Sequence, residues 1–490
     1  MTGSTYVGVD VGTTMTKVAL FAEDGSLDAV RRTPTPLRRP APGLFEHDLD
    51  EVAAVVTGLL QETCEAAEGR VELVALTGQG DGLWLTDADG RAAGPAVSWV
   101  DARAGRTVAR WQESGLTDRV FDRTGNAPFP GAGAAVLADL DEHAPAALDR
   151  AATATQCQHA LHQLFTGERL ATGSCAMLPL LDPVGGGYDE DVVDLLGLRA
   201  RRGLLPELVD TPVATGRLAA AVAHRVGLPT GTPVVTGPYD LPAAAHGAGI
   251  VVPGDGLVIL GSTLACQVLL DRVRPAGEPV GLTLRTADGR GWLRAMPAMV
   301  GTAGLDWLLG LVGAGADQLE ELLAQGRDGG VRVLPFLSPA GERAPFAEAA
   351  ARGVFEGVSL DTTPADLVRA YCESLAFVTR HCLEAAGLTG EVVICGGGAA
   401  SATLVGLLAD VLERPVCVLD DAEAAARGAV AAATGSAMTA VPRRRRVEPR
   451  QAGRHRDGYR DYLARVEEAR AHWRRARTTT RGREISAHVR

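Results

Sequence analysis

The sequence predicts an α/β fold, because strand and helix patterns alternate along the whole chain of 490 residues. Short apolar runs are separated by stretches with the apolar spacing of amphipathic helices, which is typical of layered sheets and helices. A glycine-containing turn between two apolar strands at residues 12–14 recurs 249 positions later, at residues 261–263. The length suits two or three domains, and the recurrence predicts a duplicated domain plan. Two unrelated hairpins remain the alternative explanation of this short repeat.

The first half is expected to contain six strands and two helices. The strands are expected at residues 6–10, 16–22, 71–76, 83–87, 95–100 and 232–236, and the helices at residues 48–68 and from about Leu241. A turn at residues 87–90 separates two of these strands, because it contains two aspartates and a glycine.

The second half is expected to open with a strand pair at residues 256–270. A further strand, residues 391–395, leads through three glycines into a helix at residues 400–412. Turn residues near positions 245–255 mark the boundary between the halves. We therefore expect an N-terminal lobe at residues 1–248, a C-terminal lobe at residues 249–440 and a basic helical tail at residues 441–490.

Charge is distributed unevenly along the chain. Residues 443–490 carry 16 arginines and 6 acidic residues, a net charge of +10. Because the whole chain has a net charge of −12, the first 442 residues carry −22. An acidic body argues against nucleic-acid binding, which needs clustered cations. The tail alternates charges at helical spacing, which favours a terminal helix packed on the acidic body over a nucleic-acid or membrane arm.

Cysteine spacing and hydropathy indicate the compartment. None of the 8 cysteines forms a C-x-x-C pair, so neither a zinc site nor a disulfide framework is expected. We expect buried, reduced thiols instead. No apolar run is long enough to span a membrane, and the N-terminus lacks the pattern of a secretory signal. We expect a cytoplasmic protein that binds neither membrane nor nucleic acid.

The first turn has the features of an anion-binding hairpin. Glycine at position 12 lets the backbone approach a phosphate, the hydroxyls of Thr13 and Thr14 add donors, and Asp10 can hold Mg²⁺. The sequence matches neither a Walker A loop nor a dinucleotide fingerprint, because a strand is expected to follow. The second turn lacks the acid, since Ile259 stands at the corresponding position.

Lys17 is the one lysine of the chain, against 47 arginines. A lineage preference for arginine explains most of this bias. The exception nevertheless falls on the strand that leaves the first turn, where an ammonium and a guanidinium would act differently on a phosphate. Contact between Lys17 and a phosphate is one hypothesis, and a strand residue that points to solvent is the alternative.

Three further segments are candidates for chemistry. Residues 396–398 form a glycine-rich strand-to-helix turn that suits a nucleotide, although a ligand-free connection has the same pattern. Asp240 follows a strand and opens a helix, so it either caps that helix or serves as a general base. Residues 78–82 and 99–103 combine acids, an amide and a guanidinium near a tryptophan, which suits a polyhydroxylated ligand. A local ion pair between Asp101 and Arg103 is the alternative there.

These motifs, in this order, resemble the FGGY carbohydrate kinases of the sugar kinase, actin and heat-shock ATPase superfamily. The resemblance covers about residues 6–440. It includes GVDVGTTMTKVALF, TGQGDGLWLTDADG, SWVDAR, GPYDLPAAAHGAG, ILGST, LSPAGERAPF, ARGVFEGVSL and CGGGAAS. Tyr371, within the stretch similar to the family's C-terminal signature, stands where a smaller residue is usual.

The resemblance implies two ribonuclease-H-like lobes that close on ATP, Mg²⁺ and a small sugar or polyol. Asp240 would be the catalytic base, and Asp10 would hold the metal. The expected contacts to ATP are Gly12, Thr13, Thr14, Lys17, Gly261, Ser262, Thr263, Gly301, Gly397 and Gly398. The expected contacts to the acceptor are Gln79, Asp81, Trp99, Asp101, Arg103, Tyr239 and Asp240.

The acceptor is less sharply indicated than the reaction. Gly80 and Asp81 stand where D-xylulose kinases usually carry Met-His. The surrounding motif is most similar to that of erythritol kinases, and L-xylulose kinases are also similar in having a small residue at that position. Erythritol or a ketopentose such as xylulose is therefore expected, with a D-xylulose or other pentulose kinase as the alternative. A silent sugar-binding regulator and a chaperone-like ATPase are the competing classes. The oligomeric state is not fixed by the sequence, and a homodimer stays among the alternatives.

Overall fold

The computed structural model describes residues 4–67, 69–175, 177–273, 275, 277–420, 423–435 and 442–487, and the side chains of Cys175 and of residues 476–487 lie outside that description. The expected limit between the C-terminal lobe and the tail, at residues 440 and 441, also lies outside the described residues. Within the described ranges no helix is both long and apolar enough to cross a bilayer. The seven cysteines with described side chains are free thiols.

The chain alternates strands and helices, as expected. The strands are β1 (Ser4–Val11), β2 (Met15–Ala22), β3 (Leu27–Pro34), β4 (Glu46–His47), β5 (Arg70–Gly78), β6 (Trp84–Thr86), β7 (Ala96–Val97), β8 (Thr153–Thr155), β9 (Leu170–Thr172), β10 (Glu207–Val209), β11 (Ala214–Arg217), β12 (Pro233–Thr236), β13 (Gly256–Leu260), β14 (Leu264–Leu270), β15 (Leu282–Arg285), β16 (Trp292–Ala298), β17 (Arg332–Leu334), β18 (Val354–Glu356), β19 (Val392–Cys395), β20 (Val416–Leu419) and β21 (Arg444–Val447).

The helices fill the connections between these strands. They are α1 (Leu49–Glu65), α2 (Gly105–Glu113), α3 (Leu116–Thr124), α4 (Gly133–His143), α5 (Pro145–Asp149), α6 (Cys157–Thr166), α7 (Glu190–Leu195), α8 (Ala220–Val226), α9 (Asp240–Gly247), α10 (Thr302–Leu311), α11 (Leu319–Gln325), α12 (Pro364–Ala386), α13 (Ala402–Leu412), α14 (Ala424–Thr434) and α15 (Arg456–Ala487). Short 3₁₀ turns occupy Gly173–Cys175, Arg199–Leu204, Ala316–Gln318 and Gly397–Ala400.

Two large sheets share one topology. The first has the order β11-β12-β5-β1-β2-β3, and the second has the order β21-β20-β19-β13-β14-β16-β15. In each, an antiparallel hairpin (β1 with β2, β13 with β14) lies beside a parallel strand (β5, β19). The parallel strand is followed by a second parallel neighbour and an antiparallel edge strand. The prediction of a duplicated plan is confirmed.

The first sheet is covered on both faces, which explains its apolar central strands. Helix α1 begins after Asp48, whose carboxylate accepts two backbone N–H groups as an N-cap, and it buries Val52, Val56 and Leu60 against one face. Helix α14, which comes from the second half of the chain, covers the other face around Phe21 and Ala75. A strand buried on both faces carries near-continuous apolar residues.

Helices α9 and α14 approach each other closely through glycines. A Cβ on Gly428 would lie 1.8 Å from the carbonyl oxygen of Ala243, and a Cβ on Gly247 would lie 1.9 Å from that of Ala424. Only glycine therefore fits at these two positions. The first sheet thus depends on a helix that lies far beyond position 248, so packing crosses the expected lobe boundary, which stays a prediction.

The basic tail packs on the second half of the protein. Tyr459, Tyr462 and Trp473 of α15 are buried in its core, and Arg470 forms a salt bridge with Glu278 at 2.6 Å. The prediction of a packed terminal helix is confirmed. Strand β21 was not expected, because four consecutive arginines do not have a strand pattern. It completes the edge of the second sheet, and Arg444 also donates hydrogen bonds to the carbonyls of residues 248 and 249.

Four expected elements are shorter or start later than the sequence predicts. The helix at 48–68 ends at Glu65, and the strands at 83–87 and 95–100 are limited to β6 and β7. Backbone beyond β7 leaves the strand because Trp99 and its neighbours turn into the site described next. The glycines at 396–398 lead into a 3₁₀ turn, and α13 starts only after the N-cap Ser401.

Candidate active site

The first hairpin turn requires glycine at position 12. The Gly12 N–H donates to the carbonyl of Met15 at 3.1 Å, and a Cβ on Gly12 would lie 2.9 Å from that oxygen. Thr35, the residue after β3, donates through Oγ1 to the Gly12 carbonyl at 2.9 Å and so anchors the turn. Thr14 at the tip is exposed. The turn therefore presents tightly wound backbone to solvent, as an anion-binding hairpin must.

Asp10 lies at the base of this turn, near the end of β1. Its Oδ1 is buried and has no hydrogen-bond partner among the described residues. Burial raises the pKa of Asp10 to about 6, while the charge of Lys17 opposes that rise. A buried carboxylate oxygen without a partner suits a cation, and Mg²⁺ is often held by one or two protein carboxylates together with substrate phosphates. No group of three or more His, Cys, Asp or Glu in the described ranges is arranged to hold a metal.

Lys17 faces Asp10 across the hairpin, yet its closest charged partner comes from the other half of the chain. The ammonium lies 3.1 Å from Glu423 Oε2, and the Lys17 side chain is 25% exposed. Glu423 immediately precedes α14 and is buried. The alternative of a strand residue pointing to solvent is wrong, and contact between Lys17 and a phosphate stays a prediction.

The second hairpin forms one cluster with the glycines expected to line the nucleotide. Gly301 N–H donates to the Ser262 carbonyl at 2.8 Å, and a Cβ on Gly301 would lie 2.5 Å from the Gly261 carbonyl oxygen. Thr263 ends the same turn. Gly398 packs on Leu260 at the base of that hairpin, and a Cβ on Gly398 would lie 2.6 Å from Leu260 Cγ.

Two residues define the surroundings of this cluster. A Cβ on Gly397 would meet nothing within 4 Å, so this glycine faces open space, and its contact with a nucleotide stays a prediction. Tyr371, the residue that departs from the family pattern, lies with its hydroxyl 3.4 Å from the Gly301 carbonyl. It fits because Gly304 has no side chain, and a Cβ there would lie 1.9 Å from the tyrosine oxygen.

Asp240 is the first residue of α9, not its N-cap, because Tyr239 holds the cap position without a side-chain hydrogen bond. The Asp240 carboxylate accepts backbone hydrogen bonds from Leu241 and Gly80. Burial and the nearby charge of Asp10 raise the pKa of Asp240 to about 8. A carboxylate with a pKa near neutrality is suited to general-base work. Asp240 thus accepts one N–H of the first turn of α9, and its role as the base stays a prediction.

The acceptor side of the site adjoins the first hairpin. Trp99 Nε1 donates to Thr13 Oγ1 at 2.7 Å, so this hydroxyl is linked to the expected acceptor site. Gln79 is buried, and its Oε1 lies 3.5 Å from the same Thr13 oxygen. The ring of Tyr239 packs over Gly80, where a Cβ would lie 2.2 Å from the ring carbons. Glycine at position 80 thereby sets the position of the residue beside Asp240.

Asp81 is buried and adopts a left-handed backbone conformation with φ of 58°. Burial raises the pKa of Asp81 to about 7, and the charge of Arg343 opposes the rise. The charge of Asp81 in turn acts on Asp240. The structure therefore brings Asp10, Asp81 and Asp240 into one electrostatically connected group.

Asp101 and Arg103 bond to each other. Asp101 accepts hydrogen bonds from Arg103 Nε at 2.9 Å and from the backbone N–H of Phe45 at 2.7 Å. Arg103 also forms a salt bridge with Glu46 at 2.7 Å. The local ion pair considered in the sequence is present and fastens the loop that carries Trp99. Direct contact of these two residues with an acceptor stays a prediction.

Sequence reasoning missed Arg343 and Glu423 as residues of the site. Arg343 comes from the loop between β17 and β18, and its guanidinium stacks on the ring of Trp99. Its signal in the sequence is a charged residue inside LSPAGERAPF, a loop otherwise rich in small and apolar residues. Nothing in the sequence around Glu423 indicates a site, because an acidic residue is common just before a helix such as α14.

Comparison with known families is decisive for the chain as a whole. The models for the N-terminal and C-terminal domains of the FGGY family of carbohydrate kinases match residues 5–247 and 229–437. The chain belongs to the FGGY family of carbohydrate kinases. Two hairpins in two similar sheets are therefore the two-lobe fold of this family, and the resemblance seen in the sequence is confirmed.

The relatives of this FGGY kinase include kinases of erythritol and of xylulose. Erythritol kinase of Brucella abortus is 32% identical over 87% of this chain and 86% of its own length. Xylulose kinase of Escherichia coli is 28% identical over 83% of this chain and 84% of its own. The crystal structure of xylulose kinase from Rhodospirillum rubrum has a TM-score of 0.84 and 28% identity, covering 96% of this chain and 100% of that one. This FGGY kinase is an ATP-dependent kinase of sugars or polyols.

Proposed function

We propose that this FGGY kinase phosphorylates a terminal hydroxyl of a small linear polyol, with erythritol as the leading acceptor. The observation that carries this proposal is the buried carboxylate of Asp81 beside Asp240. A carboxylate accepts hydrogen bonds from hydroxyls, whereas the carbonyl oxygen of a ketose offers no proton to it. The similarity to erythritol kinase of Brucella abortus supports the same acceptor class.

In the proposed reaction, Asp240 accepts the proton of the acceptor hydroxyl. The O–H bond breaks, the oxygen forms a bond to the γ-phosphorus of ATP, and ADP leaves. The N–H groups of the two hairpins and the open face at Gly397 would hold the nucleotide. Asp10 would hold Mg²⁺, which when bound neutralises phosphate charge. Alignment and charge neutralisation supply most of the rate of such transfers, so the chain needs no covalent intermediate.

The acceptor proposal is tested by ADP release with erythritol, other tetritols, pentitols, both xyluloses, both ribuloses and glycerol. At about pH 8, where Asp81 is mostly ionised, we expect kcat/KM for erythritol to exceed that for either xylulose by at least about tenfold, because a buried carboxylate facing a carbonyl would lose a hydrogen bond worth about 1–3 kcal/mol. Asp81→Ala should remove most of this preference. Asp89→Ala, at an exposed turn of the same half, is the control. A wild-type preference for a ketopentose would contradict the polyol assignment.

Lys17 is proposed to contact the ATP phosphates, with its ammonium held in place by Glu423. Lys17→Arg is expected to raise the KM for ATP about tenfold, equivalent to about 1.4 kcal/mol, because a planar guanidinium does not replace a compact ammonium between two carboxylates. Arg32→Lys is the matched control, since Arg32 also faces Glu423, at 3.7 Å, but is 60% exposed. Steady-state kinetics with ATP as the varied substrate measure both. An unchanged KM for ATP in Lys17→Arg would refute the contact.

A further inference from the structure

Arg343 belongs to the second half of the chain but reaches the acceptor side of the first. Its guanidinium carbon lies 4.5 Å from the ring centre of Trp99 and 4.6 Å from that of Phe129. Nε donates to the carbonyl of Pro297 in β16 at 2.9 Å. Two aromatic rings and one carbonyl therefore fix the plane of this guanidinium, which is the geometry that arginine, unlike lysine, can use.

The outer edge of this guanidinium remains available to a ligand. In the described ranges the Arg343 guanidinium has no salt bridge within 4.0 Å, although the Arg343 backbone N–H donates to Glu342 Oε1 at 2.9 Å, whereas Arg103 and Lys17 each have a carboxylate partner within 3.1 Å. Arg343 lines a cavity of about 200 Å³ between the two halves, together with Trp99, Phe129 and Pro297. Its charge also acts on Asp81 and Asp240. Among the described residues, Arg343 therefore places a cation without a salt bridge at a cavity that Trp99 and Asp101 also line, close enough to Asp81 and Asp240 for their charges to interact.

We propose that Arg343 is the acceptor-binding residue supplied by the second half of the chain, and that it donates hydrogen bonds to the hydroxyl oxygens next to the one phosphorylated. A guanidinium fork presents two parallel N–H groups, which match the oxygens of a vicinal diol. Asp81 accepts from the hydroxyl protons of the same acceptor. Arg343 and Asp81 together distinguish a polyol with inner hydroxyls from an alcohol that has only terminal ones. This inference rests on the proposed function.

A combined deletion of acceptor hydroxyls and of Arg343 tests the inference. The acceptors are erythritol, 1,2,4-butanetriol and 1,4-butanediol, which keep both terminal hydroxyls and lose the inner ones stepwise. The proteins are wild type, Arg343→Ala and Arg343→Lys. The control is Arg352→Ala, at an exposed arginine of the same loop that donates to the backbone carbonyls of Ala349 and Ala351. The interaction between the two deletions isolates the contact from general damage.

In wild type, kcat/KM should fall at least about tenfold with each inner hydroxyl removed. In Arg343→Ala the fall per hydroxyl should shrink to about threefold or less, while the KM for ATP stays within about twofold. Arg343→Lys should recover part of the discrimination, because it keeps a donor but not the fork. Arg352→Ala should behave as wild type.

An unchanged fall per hydroxyl in Arg343→Ala would overturn the inference, and so would an equal rise in the KM values for ATP and acceptor. Should Arg343→Ala fail to fold, the fall per hydroxyl is measured with Arg343→Gln and Arg343→Lys instead, and it should be smaller than in wild type in both. The wild-type acceptor panel alone judges the proposed function. Should a ketopentose be preferred, the ratios are measured with its 3-deoxy analogue, so the two proposals fail independently.

Discussion

Asp240→Asn is expected to lower kcat about a thousandfold with the best acceptor, because an amide keeps the shape of the carboxylate but cannot accept the proton of the attacking hydroxyl. ATP affinity should be kept or slightly increased. In its ionised form Asp240 carries a negative charge that interacts with Asp10, where the phosphates and their metal are expected, and the substitution abolishes this charge. Turnover is measured by ADP release, and ATP affinity by calorimetry without acceptor.

Two results would separate the base role of Asp240 from a structural one. Asp24→Asn, at an exposed turn of the first sheet, should leave both quantities unchanged and serves as the matched control. Turnover of Asp240→Asn within about tenfold of wild type would refute the assignment, because removal of a general base reduces the rate by about a hundredfold or more. A simultaneous loss of ATP affinity would place the effect in folding.

Gly428→Ala is expected to destabilise the protein by about 3 kcal/mol, because its methyl group would lie 1.8 Å from the carbonyl oxygen of Ala243 and force α9 and α14 apart. Since α9 begins at Asp240, the same shift should also reduce turnover. Thermal unfolding and urea unfolding measure the first effect. ADP release at a temperature where the variant is folded measures the second.

Gly406 provides a matched control for this substitution. It lies inside α13, and a Cβ there would meet nothing within 4 Å. Gly406→Ala should therefore stabilise the protein by about 0.5–1 kcal/mol, since alanine restricts the unfolded chain and favours helix. Equal effects of the two substitutions would show that the contact between α9 and α14 is looser than described.

The local pattern of the sequence was sufficient for much of the fold. The apolar runs of β1 and β2, the amphipathic spacing of α1 and the repeated glycine turn are all predicted by the sequence. The chemistry of the turns also indicates Asp10 and Asp240, which the structure places in one electrostatic group. The observed strand β7 ends three residues before the expected strand at 95–100 does, because the backbone after Val97 turns toward the candidate active site.

What the sequence could not supply depends on contacts between distant segments. Lys17 meets Glu423, and Arg343 stacks on Trp99, and neither partner can be identified by counting positions along the chain. The arginines of β21 form a strand only because β20 offers them an edge. The side chains of Asp101 and Arg103 could bind either a ligand or each other, and the spacing of the sequence does not distinguish these two arrangements. Their ion pair is seen in the structure.

The position of α14 has a consequence for how the chain folds during its synthesis. The first sheet uses residues that leave the ribosome early, but the helix that covers one of its faces comes more than 340 residues after the end of β5. Until α14 arrives, the apolar face around Phe21 and Ala75 stays open to water and to other nascent chains. Such late, non-local closure slows folding and exposes the chain to aggregation. The first half of this kinase is therefore expected to need chaperone protection while the second half is still being made.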